Sequence, residues 1–176
     1  MKPSKVLDEI CYPFIQETSY LCDFEVVTDE WCTLLGMALS ATPAEFLDVA
    51  ADLDHLQPLA FHVNGSMRGK LAVEEADVQW VRERIAHYRQ ELGPREHAFV
   101  LPRGTAPVPQ LHQARSGAKK AIRAMVRVEQ EGRAVPDVLP RFCNAVCNLL
   151  FLMTLSINLR RGVTEVPFVS KSYQVH

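Results

Sequence analysis

Proline and glycine divide residues 74–161 into three long stretches that read as helices, and this division constrains the fold more than any other feature. The first opens on Glu74 and Glu75, where negative charge suits the positive end of a helix dipole. It carries Val78, Val81, Ile85 and Tyr88 at intervals of three and four, and Gly93-Pro94 ends it. Ala98 to Pro109 holds three prolines and one glycine and reads as a loop. A second helix is expected over Gln110–Gln130, a turn over Gly132–Pro136, and a third helix from a cap at Asp137 to Arg161.

Upstream, helices are expected over residues 3–21, kinked at Pro13, and from a cap at Thr28 along Trp31, Leu34, Leu35, Met37 and Ala38. A further one begins at Thr42-Pro43 and runs to about Val63, bent at Pro58, before the break at Asn64-Gly65-Ser66. Val26-Val27 and Phe168-Val169 are too short to count as strands, and the tail 162–176 is expected to lie extended on the surface. The pattern predicts an all-α bundle of about five helices in a single domain over 1–176.

Composition narrows the function classes. A net charge of −2 lacks the basic excess of a general nucleic-acid binder. The longest apolar run, Ala145 to Leu159, is broken by Asn148, Thr154, Ser156 and Asn158, short of the ~18 residues of a membrane span. The first residues do not read as a secretory signal, and five cysteines are an odd number. A cytoplasmic chain with reduced, mostly buried thiols is the expectation.

Three segments, in order, carry a resemblance. Phe99-Val100-Leu101-Pro102-Arg103-Gly104 is close to a Phe-Ile-Leu-Pro-Gly-Gly loop. Leu111-His112-Gln113-Ala114-Arg115-Ser116, with Lys119, Lys120 and Arg123, is similar to a helix reading Leu-His-x-Ala-Arg-Thr-x-x-Arg-Arg-x-Glu-Arg. Asn144-Ala145-Val146-Cys147-Asn148-Leu149-Leu150-Phe151 is similar to Asn-Arg-Leu-Ser-Asp-Leu-Leu-Phe. Thr28-Asp29-Glu30 upstream and Glu165-Val166-Pro167 downstream also fit. Together they resemble the cobalamin (ATP:corrinoid) adenosyltransferases of the propanediol-utilisation type. The resemblance implies an up-and-down bundle assembled as a homotrimer, with sites between subunits. It also implies transfer of the 5′-deoxyadenosyl group of ATP, with Mg²⁺, to the cobalt of cob(I)alamin or a related corrinoid.

Cobalt(I) is itself a strong nucleophile, so such a protein has to position the ribose carbon and neutralise the leaving triphosphate. Arg115, Lys119 and Arg123, spaced by four, lie on one helix face suited to phosphates and are the candidate catalytic residues. By the resemblance, Phe99 lies under the corrin, Asn144 and Lys120 help to hold the nucleotide, and Asp29 pairs with Arg115 across subunits. No metal site is expected.

This chain also departs from the family pattern. Residues 1–27 contain no glycine, where the family carries a glycine-rich phosphate loop. Ile122 stands for the helix glutamate, Ala145 and Asn148 for an arginine and an aspartate, and Lys119 and Lys120 for two arginines. A catalytically silent corrinoid- or nucleotide-binding protein on the same scaffold is therefore the second reading, and a helical oligomer without ligand the third. Two further groupings permit metal binding by spacing, Cys143 and Cys147 with His112, and His55 and His62 near Asp52. Packing is the commoner use of such cysteines, and a surface or capping role that of such histidines. Arg82, Arg84, Arg89 and Arg95 read as a solvated face.

Overall fold

The computed structural model describes residues 4–94 and 99–172. Pro3, Arg95, Ala98 and the end of the tail, which figure in the expectations above, lie outside the described residues. Among the described residues five α-helices form an up-and-down bundle: α1 Tyr20–Ala41, α2 Leu47–Ser66, α3 Glu75–Leu92, α4 Val108–Gln130 and α5 Val138–Arg160. In space they run α2, α1, α4, α5, α3, each packed on the next.

α4 and α5 show how sequence sets the packing. α4 buries Leu111, Ala114, Gly117, Ala118, Ala121, Ala124, Met125 and Val128, a face built mainly from small residues. α1 therefore approaches closely, and a β-carbon on Gly117 would lie 2.8 Å from the Trp31 ring. α5 buries residues 152–158 without interruption because α4 and α3 flank it. By length and composition it could cross a membrane, yet most of that window is buried inside the bundle. Burial against two neighbours explains an apolar run that a one-sided helix would not need. Each fully buried leucine or phenylalanine here stabilises by about 1.5–3 kcal/mol relative to exposure.

The upstream boundaries differ from expectation. Residues 4–19 form no α-helix and hold one 3₁₀ turn, Leu7–Glu9. Pro13 offers no amide donor, and side-chain contacts hold the segment instead. The Arg68 guanidinium lies 3.7 Å over the Phe14 ring and bonds Glu17 at 2.8 Å and the buried Glu25 at 2.7 Å. Ser19, not Thr28, caps α1, with its hydroxyl accepting from the Leu21 amide. Thr28 is buried mid-helix and donates to the Phe24 carbonyl. Thr42 closes α1 instead of opening the next helix, donating to the Ala38 carbonyl, and a 3₁₀ turn over Ala44–Phe46 precedes α2. α2 continues through Pro58, which is exposed.

Buried polar groups tie α2 to α3 and α5. Asp52 accepts from Tyr88 Oη at 2.8 Å and pairs with Arg84 at 2.8 Å, so Arg84 belongs to this contact and not to a solvated face. Arg160 of α5 holds both Asp48 and Glu91 at 2.7 Å.

Candidate functional site

The cationic residues of α4 flank two neighbours. Arg115 is half-buried and leans toward α5, its guanidinium 5.0 Å over the Phe151 ring. Its Nε is buried without a hydrogen-bond partner among the described residues. An unpaired buried donor on a cation is costly, and a ligand acceptor would satisfy it. Lys119, Lys120 and Arg123 are exposed and line a groove of about 340 Å³ between α1 and α4, with Asp23 the one carboxylate in its wall. Lys120 Nζ lies 3.1 Å from Glu30, whereas Lys119 and Arg123 hold no carboxylate among the described residues. This donor set suits phosphate oxygens. It does not suit a divalent cation, and no group of three metal-ligating side chains occurs among the described residues.

Antiparallel pairing of α4 and α5 fixes the level of the remaining residues. Arg115 meets Phe151, and Arg115 and Lys119 both act on the Cys147 thiol. The same register sets Arg123 level with Asn144. Asn144 is exposed, and its side-chain amide donates to the Pro140 carbonyl at 2.9 Å, so its oxygen is available to a ligand. With Asn148, Arg82 and Arg141 it lines a second groove, of about 730 Å³, between α3 and α5. α4 thus carries Lys119, Lys120 and Arg123 in one groove, α5 carries Asn144 in the other, and Arg115 lies on the ridge between.

Phe99 stands on the loop before α4, 53% exposed, its ring 5.5 Å from that of Phe168. The Phe168 amide donates to the Phe99 carbonyl, and the Leu101 amide to Val166. The tail is thereby zipped to the loop by a single antiparallel bridge, Val100 with Pro167. Buried Asn158 anchors both, donating to the Arg103 carbonyl and to Glu165 Oε1 at 2.9 Å each. Gly104 has φ of +149°, and a β-carbon there would meet Asn158 Oδ1 at 2.7 Å. Phe168 and Asn158 have no distinctive sequence signal, because their importance rests on contacts about 55–70 residues away in the chain.

Asp29 is exposed on α1 and makes no ion pair among the described residues. It does not meet Arg115 within the chain, since Arg115 turns to α5.

The histidines and cysteines have structural settings. Burial, with the nearby Arg115, pushes the His112 imidazole down to about 4. Burial pushes the Cys143 and Cys147 thiols up, which leaves both protonated and poor ligands. His55 packs at a tilt on Trp80 with centroids 4.1 Å apart, while Asp52 is taken by Arg84 and Tyr88.

Comparison with known proteins gives the family and the fold. The cobalamin adenosyltransferase family profile matches residues 18–157. A cobalamin adenosyltransferase of Cupriavidus metallidurans is 31% identical over 140 residues, 78% of this chain and 74% of that protein. A corrinoid adenosyltransferase of Bacillus subtilis is 26% identical over 147 residues, 80% of this chain and 75% of that protein. Among solved structures, a variant PduO-type ATP:corrinoid adenosyltransferase from Lactobacillus reuteri, complexed with cobalamin and ATP, shares the fold. Its TM-score is 0.77 at 20% identity, over 87% of this chain and 88% of that one. A second variant of that protein, complexed with ATP, gives 0.76 at 20% identity, over 86% and 88%.

Proposed function

The chain belongs to the cobalamin adenosyltransferase family, and from that premise we propose that it transfers the 5′-deoxyadenosyl group of ATP to the cobalt of cob(I)alamin or a related corrinoid. The observation that carries this reading is the face of α4. Among the described residues Lys119 and Arg123 hold no carboxylate, and on the same helix the Nε of Arg115 is buried and unsatisfied.

Reduced cobalt supplies the nucleophile, and the C5′–O5′ bond of ATP breaks with release of triphosphate. The protein's share is binding and positioning. Arg115, Lys119 and Arg123 hold the triphosphate and stabilise the charge that leaves with it. Lys120 adds to the field once Glu30 is displaced, and the Asn144 amide oxygen accepts from the nucleotide. Phe99, backed by Phe168, presents an apolar wall that excludes water from the lower face of the corrin. Mg²⁺ would enter bound to the phosphates and would neutralise part of their charge; the groove offers it one carboxylate, Asp23.

Among the described residues Asp29 holds no cation and Arg115 no carboxylate, which supports a homotrimer in which Asp29 of one copy reaches Arg115 of the next. All five cysteines are free, in keeping with a cytoplasmic setting.

The test is formation of adenosylcobalamin, followed by its absorbance, from reduced cobalamin, ATP and Mg²⁺. Wild-type protein should turn over, and Lys119→Ala with Arg123→Ala should lower kcat/KM by at least a hundredfold. Absence of product from wild-type protein that still binds cobalamin would favour the second reading, a silent binding protein. Ile122 and the glycine-free segment held at Arg68 are the observations on that side.

A further inference from the structure

Lys119, Arg123 and Arg127 follow one another at four-residue intervals along the open side of α4 and line the same groove. Like charges so spaced repel by a few tenths of a kcal/mol per pair. Elsewhere the protein neutralises such charge, and Arg68, Arg84, Arg141, Arg160 and Arg161 each hold a carboxylate. Arg127 holds none among the described residues. Its guanidinium lies 5.8 Å from the centre of the Tyr20 ring, a cation–ring contact that engages none of its N–H donors in a hydrogen bond.

Backbone donors near the groove are already used. At the adjoining start of α1, the Tyr20 amide donates to Glu131 at 3.0 Å and the Leu21 amide to Ser19 Oγ at 3.1 Å. The preceding segment is held at Arg68 and contains no glycine. An anion in the groove therefore meets side-chain cations. From Lys119 to Arg127 these span about 12 Å of helix. A single phosphate cannot touch all of them, whereas a polyphosphate chain can.

We propose that Arg127 is a further phosphate-binding residue, extending the groove by one turn so that it grips an inorganic triphosphate chain through side-chain cations alone. The inference rests on the reading of ATP as substrate and adds the residue that takes the distal end of its phosphates. Arg127 provides two N–H donors in one plane there, which the lysines of the groove cannot.

The experiment is calorimetric titration of the full chain with inorganic triphosphate, ATP and adenosine. The proteins are wild type, Arg127→Ala, Arg127→Lys and, as a charge-matched control, Arg133→Ala. Arg127→Ala should bind triphosphate and ATP about tenfold more weakly and adenosine unchanged, with the melting temperature preserved because the side chain is exposed. Arg127→Lys should recover part of the loss, and Arg133→Ala should match wild type. Equal triphosphate affinity in Arg127→Ala and wild type would overturn the proposal. So would an equal loss in Arg133→Ala, which would mean a general charge effect, or a wild type that does not bind triphosphate. If the expected pattern appears but no adenosylcobalamin forms, the proposed reaction fails and the role of Arg127 stands.

Discussion

Arg115 combines three conditions that rarely coincide on one side chain. It is half-buried, stacked on Phe151, and has a buried Nε without an acceptor. Lysine could keep its charge but neither stack as a plane nor offer a fork. Arg115→Lys should raise the KM for ATP about tenfold while shifting the melting temperature little, measured by steady-state kinetics and thermal unfolding. Gly104 is constrained differently. Its φ of +149° and its approach to Asn158 leave no room for a β-carbon. Gly104→Ala should cost about 1–3 kcal/mol in chemical denaturation. Because Asn158 also anchors the tail, the substitution should weaken corrinoid binding more than ATP binding.

At the level of elements, the α1–α4 contact turns on Gly117. Alanine favours a helix over glycine by about 1 kcal/mol. Here its β-carbon would press on the buried Trp31 ring, and overpacking of that kind costs about 1–3 kcal/mol. The clash outweighs the propensity, so Gly117→Ala should lower the denaturation midpoint. The segment before α1 depends on Arg68. Arg68→Ala would leave Glu25, 4% exposed, without its cation, for a loss of about 2–3 kcal/mol. Limited proteolysis should then cut within residues 4–19 faster than in wild type. This segment is also where the sequence reading failed. Its apolar residues can be set on a helix, but Phe14 and Glu17 answer to Arg68, some 50 positions away. Ser19 and Thr28 are both cap-forming residues by type. The glutamate that engages Ser19 and the Tyr20 amide comes from the end of α4, and no local pattern announces it.

For the whole molecule, stability should fall on acidification in two adjoining windows. The folded His112 pKa, about 4, lies below its ordinary value of 6.5, so the unfolded chain binds the extra proton between those values. The neutral form's contribution is complete above pH 6.5 and is lost as pH falls toward 4. Arg68 holds the Glu25 carboxyl down against its burial, and Arg160 holds down Asp48 and Glu91. Their contributions persist above the ordinary carboxylate range and are lost below it. His112→Gln should flatten the decline between pH 6.5 and 4 and leave the lower one, as read by urea unfolding across pH. Assembly is a second property of the whole. On the proposed pairing of Asp29 with Arg115 between copies, Asp29→Ala should shift sedimentation at micromolar concentration from trimer toward monomer.

The sequence by itself determined the helical class, the later helices and the family. Those rest on local facts: apolar spacing along α3, breaks at Gly93 and Gly132, and charges four apart on α4. It also supplied Arg115, Lys119 and Arg123 as candidates, because a helix face follows from spacing. Tertiary structure decided which of them share a groove, that Arg115 turns to Phe151, and that Asn144 opens on the far side of α5. It also decided that Asn158 joins the Phe99 loop to the tail. These depend on the antiparallel register of α4 and α5 and on contacts between distant parts of the chain. A side chain's neighbours across a helix interface are set by how the helices pack, and no single segment encodes that packing.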